Sequence, residues 1–277
     1  QVANQCAIAL RQSRLYQSSR SQVQELERLN HLKDDFLSTV PHELRTPITN
    51  IKMATQMLEI GLRRLGVLND PTTSVHRYFQ ILKDECQREI NLINDLLDLA
   101  RLDAEATPLT LAIIDLNTLI TRIVEPFRER TRNQQQNLHL HLPKCLPPIT
   151  TDLSSIERIL SELLQNACKY TPAGESITLH AQVIQSLVNP EKRVGSGDAV
   201  LISICNTGVE IPAPERNRVF DKFYRIPNND PWRHGGTGLG LALVKKLVDR
   251  LHGTIQLESQ YHQVTFKVLL PLETLKA

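Results

Sequence analysis

Phe36-Leu-Ser-Thr-Val-Pro-His42-Glu43-Leu-Arg-Thr46-Pro47-Ile-Thr49 is the stretch whose reading decides the fold. Leu37, Val40, Leu44, Ile48 and Ile51 recur at three- and four-residue steps, the spacing that lines up side chains on one helix face, so they form a seam that must be buried. His42 lies two residues from Leu44, about 200° around a helix that turns ~100° per residue, and so points away from that seam into solvent. An exposed imidazole can accept a transferred group, and Glu43 beside it can hold the proton of one ring nitrogen while the other stays nucleophilic. Thr46 follows one turn later on the same face as His42. Pro41 and Pro47 bracket the histidine, and each costs a helix interior on the order of 3 kcal/mol, an expense from which a purely structural helix gains nothing.

Outward from this stretch, helical spacing runs from Val23 and Leu26 to about Leu65, with Gly66 to Thr73 as a turn. A second helix then carries Phe79, Leu82, Cys86, Ile90, Ile93, Leu97 and Ala100 on one stripe. The result is a helical hairpin in which each helix has one apolar stripe and one partner. Pairing two hairpins into a four-helix bundle buries both stripes, which predicts a homodimer. The first twenty residues, with Ala7, Leu10 and Leu15, read as the end of an upstream helix and a signalling linker.

The regime changes near Asp103–Pro108. Beyond it, Pro108–Ile114, Asn137–Leu142, Ser176–Val183, Val200–Cys205, Thr254–Glu258 and Val264–Leu270 read as strands. Helices are predicted between them over Leu116–Arg132, Leu153–Lys169 and Leu239–His252, the last stopped by Gly253 in the usual C-terminal position. This is an α/β layer with helices against a mixed sheet, and Ser186–Asp198 reads as a hairpin excursion without chemistry of its own.

Composition sets wider bounds. The 277 residues suffice for two domains, and 41% hydrophobic with 22% charged residues is ordinary globular composition. Basic residues are scattered at a net charge of +2, so the blocky patch expected of a nucleic-acid binder is missing. Cys6, Cys86, Cys145, Cys168 and Cys205 are odd in number and widely spaced, which predicts reduced thiols in a cytoplasmic compartment. No apolar run reaches the ~18 residues of a membrane span, and no signal peptide is visible. Opening at Gln1 without a methionine, the chain reads as a piece of something longer.

Three constellations in the second region carry chemistry. On the helix ending Glu162-Leu-Leu-Gln-Asn166-Ala-Cys-Lys169-Tyr170, Glu162 and Asn166 share a face one turn apart. An amide oxygen suits Mg²⁺, a hard cation that keeps most of its waters, and the Lys169 ammonium suits a polyphosphate. Gly235-Gly236-Thr237-Gly238-Leu239-Gly240 leads straight into a helix, where backbone N–H groups and the helix dipole favour phosphate oxygens. Asn206-Thr-Gly208-Val-Glu210-Ile211 closes a strand with a loop that could line a base pocket. Each of these alone would pass for a polar helix face or a tight turn.

Together, in this order and spacing, they resemble the sensor histidine kinases of two-component signalling. Val40-Pro-His42-Glu43-Leu-Arg-Thr46-Pro47 is similar to the phosphoacceptor box and Asn166-Ala-Cys-Lys169-Tyr170 to the N box. Asn206-Thr-Gly208-Val-Glu-Ile211 is similar to the first glycine box, Phe220-Asp-Lys-Phe223 to the F box of the ATP lid, and Gly236-Thr-Gly238-Leu-Gly240 to the second glycine box. The resemblance covers roughly Gln22 to Leu272. It implies the end of an upstream sensor helix and linker over 1–22, a dimerisation and histidine phosphotransfer hairpin over 23–106, and over 107–277 an α/β sandwich ATP-binding domain of the fold shared with DNA gyrase and a heat-shock chaperone ATPase. It also implies ATP and Mg²⁺, a response regulator whose receiver aspartate takes the phosphoryl group, and an upstream sensor domain. Gln1–Leu15 weakly resembles the last helix of a GAF sensor domain.

Residue by residue, the resemblance makes His42 the phosphoacceptor, Glu43 its acid–base partner, and Thr46 the residue that positions a water for dephosphorylating the regulator. Asn166 would coordinate Mg²⁺ with Glu162 beside it, Lys169 would contact phosphate, Tyr170 would pack near the nucleotide, and Gly236, Gly238 and Gly240 would cradle phosphates. Gly208 and Asn206 would line the base pocket. The chain departs from the pattern at Pro41, where serine is usual, at Asn206, where an aspartate normally meets the adenine amino group, and at Glu210, which replaces a glycine. The readings in play are therefore an active kinase, a non-catalytic scaffold with weakened nucleotide binding suggested by Asn206 and Glu210, and a phosphatase-dominant regulator suggested by Thr46.

Overall fold

The computed structural model describes residues 47–70, 72–104, 108–184, 198–227 and 237–272. His42, Glu43, Thr46, Gly235, Gly236, Cys6 and all of the Ser186–Asp198 excursion but Asp198 lie outside the described residues. The chain divides into two compact units, Gln1–Ile93 and Asn94–Ala277.

In the first unit, helix α1 (residues 47–64) ends as its sequence dictates. Gly66 takes a left-handed φ of +75°, and the N–H groups of Gly66 and Val67 turn back to the carbonyls of Arg63 and Leu62 at 3.0 Å each, which satisfies two of the helix's last carbonyls. Helix α2 (Ser74–Asp103) starts from Thr73, whose hydroxyl accepts the His76 N–H at 3.2 Å. The two helices meet through Glu59 and Lys83 at 2.8 Å and through Thr55 and Cys86 at 3.9 Å, so the hairpin expected from the sequence forms. Phe79 and Leu68 are buried at its closed end. Met53, Met57 and Ile60 on α1 and Val75, Tyr78 and Leu82 on α2 stay exposed in the single chain, each set at helical spacing.

The division between units falls inside α2, three turns before its end at Asp103, because the side chains of Asp95 and Asp103 are tied to elements of the second unit. The change of regime read at Asp103–Pro108 is still where helix gives way to strand.

The second unit orders as β1 (Leu111–Ile114), α3 (Leu116–Asn133), β2 (Asn137–His141), β3 (Ile149–Asp152), α4 (Leu153–Tyr170), β4 (Ser176–Ile184), β5 (Ala199–Thr207), α5 (Gly240–Arg250), β6 (Thr254–Gln260) and β7 (Gln263–Pro271). Two single 3₁₀ turns, Ala213–Glu215 and Arg218–Phe220, lie between β5 and α5. The main sheet runs β2-β4-β5-β7-β6, with β2 parallel to β4 and the other pairs antiparallel, while β1 and β3 form a separate antiparallel pair. Strand β3 went unread in the sequence: Ile149-Thr-Thr-Asp152 is four residues with one apolar side chain, and its pairing with β1 decides it.

Alternation along the strands sends one face inward. Ile177, Leu179 and Ala181 of β4, Val200, Ile202 and Ile204 of β5, and Val264, Phe266 and Val268 of β7 are buried with Leu116 and Ile120 of α3, Ile156, Leu160 and Leu164 of α4, and Leu243 and Leu247 of α5. Truncating any one of the larger aliphatic members to alanine costs on the order of 2–5 kcal/mol. Asp115 and Asp152 cap α3 and α4, accepting backbone N–H groups of Asn117 and Ser155 at 3.0 and 2.8 Å.

One sequence expectation needs correcting. The left-handed residue that stops α5 is His252 at φ +55°, not Gly253, and Gly253 follows it to return its N–H to the Val248 carbonyl at 2.9 Å. A glycine is still required there, because a Cβ would lie 2.5 Å from the Leu269 carbonyl oxygen of β7.

Candidate active site

Helix α4 presents the first constellation. Its apolar positions Leu160, Leu163, Leu164 and Ala167 turn to the sheet, which leaves Glu162 and Asn166 together on another face, both half-buried. Lys169, a turn on, holds its ammonium 4.7 Å from the centre of the Tyr170 ring. The Glu162 carboxylate is ion-paired with Arg158 at 3.1 Å and lies against the first residue of α5, where a Cβ on Gly240 would come within 2.6 Å of its Oε2. The α4 constellation and the glycine loop are thereby brought into contact, and that contact explains why residue 240 is glycine. Burial pushes the Glu162 carboxyl above its ordinary pKa, opposed by the Arg158 charge and reinforced by Asp95 and Asp98.

The loop leading into α5 is held from two sides. Gly238 has φ +72°, and a Cβ there would lie 2.8 Å from the Phe223 carbonyl carbon. The Phe223 N–H donates to the Gly238 carbonyl at 2.9 Å, and Phe223 itself takes φ +63°, a conformation that costs a non-glycine residue. The F-box segment and the glycine loop are therefore locked backbone to backbone. The lid side is braced in turn: the Tyr224 hydroxyl donates to the Glu215 carboxylate, and the Arg218 guanidinium stacks 4.1 Å from the Tyr224 ring centre.

Asn206 closes β5 between Ile177 of β4 and Val264 of β7 and is only 3% exposed. Among the described residues its amide has no hydrogen-bond partner, and its polar atoms are not sealed off from solvent. A buried amide with open valences fits a hydrogen-bonding ligand such as a purine edge. Next to it, the Thr207 hydroxyl donates to the Glu175 carboxylate and accepts the Ser176 N–H at 3.0 Å. Gly208, at φ +81°, passes so close to Glu175 and Pro172 that a Cβ would come within 2.6 and 2.9 Å of them. Since Pro172 and Glu175 directly follow α4, the end of α4 and the Asn206–Gly208 turn belong to one wall.

Sequence reasoning passed over several side chains that the fold brings here. Arg158 sits one turn before Glu162 and pairs with Asp95 of α2 as well. Thr237 stands inside the quoted glycine motif, and its hydroxyl accepts the Leu239 N–H at 3.2 Å. Lys222 and Lys246 both reach Asp103. The motif position of Thr237 and the helical step from Arg158 to Glu162 were the available signals.

No group of three or more His, Cys, Asp or Glu side chains among the described residues could cage a metal ion. The oxygen donors present, the Asn166 amide and the Glu162 carboxylate one turn apart, fit Mg²⁺ held mostly by water and phosphate oxygens. Cys86, Cys145, Cys168 and Cys205 are free thiols. No helix among the described residues is long and apolar enough to cross a membrane.

Residues 32–105 match the family model of the His Kinase A (phospho-acceptor) domain, and residues 151–274 match that of the Histidine kinase-, DNA gyrase B-, and HSP90-like ATPase. The circadian input-output histidine kinase CikA of Synechococcus elongatus is 31% identical over 99% of this chain and 37% of its own length. The sensor histidine kinase WalK of Bacillus subtilis is 30% identical over 86% of this chain and 36% of its own. The crystal structure of full-length ShkA in complex with AMPPNP superposes with a TM-score of 0.65 at 26% identity, over 88% of this chain and 47% of ShkA. The chain thus spans less than half the length of each of these proteins.

Proposed function

This chain belongs to the sensor histidine kinases of two-component signalling, and on that premise we propose that it transfers the γ-phosphoryl group of ATP to His42 and passes it to an aspartate of a response regulator receiver domain. The observation that carries the reading is the seating of Glu162, with Asn166 one turn on, against Gly240 at the start of α5. That arrangement sets oxygen donors for a hard cation beside a helix N-terminus suited to phosphate. The complex of ShkA with AMPPNP supports a nucleotide as a ligand of this chain.

In the transfer, a His42 ring nitrogen attacks the γ-phosphorus in line. The new N–P bond forms as the bond from the γ-phosphorus to the β,γ-bridging oxygen breaks, and Glu43 takes the imidazole proton. Positioning and neutralisation of phosphate charge supply most of the rate. Mg²⁺, when bound, contributes that neutralisation, with the Asn166 amide oxygen and the Glu162 carboxylate as its protein donors. The exposed apolar positions of α1 and α2 support a homodimer through a four-helix bundle. Use of ATP and the free thiols fit a cytoplasmic location.

Incubation with γ-labelled ATP and Mg²⁺ tests the reading. Acid-labile, base-stable label on the protein is expected, and its absence from a chain that binds nucleotide would favour the scaffold reading instead. The Thr46 hydroxyl, four residues after His42 in the sequence, supports an added phosphatase role. Thr46→Ala is expected to slow dephosphorylation of the regulator several-fold more than autophosphorylation. Equal losses in both reactions would mean that the substitution merely disturbs the helix around Pro47.

Asn206 carries a specificity prediction. A carboxylate at this place only accepts hydrogen bonds, so it favours the adenine amino group and repels the guanine carbonyl, whereas an amide can turn either way. Exchanging a charged acceptor for a neutral one lowers the bond from roughly 1.5–3 to roughly 0.5–1.5 kcal/mol, about one order of magnitude in affinity between the centres of the two ranges. ADP is therefore expected to bind weakly, and Asn206→Asp to tighten ADP and sharpen its preference over GDP. Calorimetric titration of both nucleotides checks this; an unchanged ADP-to-GDP ratio would assign the discrimination to Thr207 or a bridging water.

A further inference from the structure

Two carboxylates of α2 end among the elements just described. Asp95, 6% exposed, accepts from Arg158 of α4 at 2.5 Å and from the Thr237 hydroxyl at 3.2 Å. Eight residues on, Asp103 sits between Lys222 at 2.6 Å, in the F-box segment, and Lys246 at 3.0 Å, on α5. The four groups they engage come from α4, the glycine loop, the F-box segment and α5, the elements that meet around Glu162 and Gly240.

A threonine hydroxyl has one proton to give. Thr237 accepts the Leu239 N–H, which fixes its oxygen at the start of α5, and its proton goes to Asp95. A phosphate oxygen arriving at the glycine loop needs that same proton. Lys222 and Lys246 share the single carboxylate of Asp103, which offsets half of their combined charge and holds both ammonium groups inside the chain. Part of the negative charge a polyphosphate would bring is thus already present, supplied by α2.

Resting on the nucleotide reading above, we infer that the last turns of α2 act as an internal anion that competes with the phosphates of the nucleotide, so that nucleotide binding and the docking of residues 94–104 oppose each other. The opposition is reciprocal by linkage: whatever α2 takes from nucleotide affinity, bound nucleotide takes from the docking of α2. Glu162 keeps Arg158 partnered when Asp95 is lost, so releasing α2 does not strand the guanidinium.

The full chain tests this by calorimetric titration with ADP and Mg²⁺, and by hydrogen exchange of the amides in residues 98–104 with and without ADP. The double variant Asp95→Asn, Asp103→Asn is expected to bind ADP about tenfold more tightly, within the usual 5–150-fold range of intramolecular coupling. In the unaltered chain, ADP is expected to speed exchange across residues 98–104, an effect that a general change of surface charge does not produce. Asp84→Asn, an exposed carboxylate elsewhere on α2, is expected to leave ADP affinity unchanged. Should Asp95→Asn fail to fold, Asp103→Asn alone is expected to tighten ADP about threefold, since its carboxylate is more exposed. ADP that binds with equal affinity to the unaltered and variant chains, or that leaves exchange at residues 98–104 unchanged, overturns the competition and leaves the nucleotide site standing. Failure of ADP to bind any of these chains removes the nucleotide reading and this inference with it.

Discussion

A His42→Gln chain incubated with γ-labelled ATP and Mg²⁺ will take up no label, a loss of at least about a thousandfold, as expected when the only nucleophile of a covalent step is removed. Glutamine keeps a polar side chain of similar reach, so the substitution removes little besides the nucleophile. Its amide nitrogen has no available lone pair, since conjugation with the carbonyl withdraws it. Nucleotide binding is expected to be retained, because Glu162, Asn166, Asn206 and the glycine loop all belong to the second compact unit, whereas residue 42 belongs to the first. The label on the unaltered chain should fall off in acid and survive base, as a phosphoramidate does and a serine or threonine ester does not. Label that persists on the glutamine variant, with the same acid sensitivity, would move the acceptor to another histidine.

What the sequence disclosed, and what it withheld, follows from the range of the forces involved. The strand read at Val264–Leu270 and the helix read at Leu153–Lys169 rest on period signals set by which face is buried, and both elements appear there, as β7 and α4. Gly208, Gly238 and Gly240 could be singled out as glycines, but only the fold says why each is needed. The reasons are contacts with Glu175 and Pro172, with the Phe223 backbone, and with the Glu162 carboxylate, all distant in sequence. Strand β3 was missed because Ile149–Asp152 is held by its partner rather than by its own pattern. His252 was passed over as the stop of α5 because glycine is the usual left-handed residue, yet here the glycine is reserved for the tighter approach to Leu269. The Asp95, Arg158 and Thr237 cluster was illegible for the same reason. Its members are 63 and 142 residues apart in sequence, and no local pattern records such a pairing.

The metal assignment leads to the second large effect, at Asn166. Replacing it with alanine removes the one neutral oxygen donor on the helix face that also carries Glu162. The helix itself should be unharmed, since alanine is the best helix former and the packing face of α4 is made by Leu160, Leu163, Leu164 and Ala167. A ligand that places Mg²⁺ between the protein and phosphate oxygens acts mainly in the transition state, where phosphoryl charge redistributes, so its loss should appear in rate more than in folding. Autophosphorylation is expected to fall by roughly 10²–10³-fold, the range observed when a single electrostatic stabiliser is removed from an active site. Asn166→Asp, which restores an oxygen donor, should recover part of that loss. A rate alone does not separate a metal ligand from a residue that merely orients the nucleotide, but ADP affinity measured with and without Mg²⁺ does. If Asn166 holds the ion, the alanine variant keeps its metal-free affinity and loses the increment that Mg²⁺ adds. If that increment survives intact while the rate collapses, Asn166 positions the nucleotide directly, and Glu162 with solvent carries the metal. Should both rate and increment stay near normal, Asn166 is only a polar position on the surface of α4, and the proposed site loses its metal ligand.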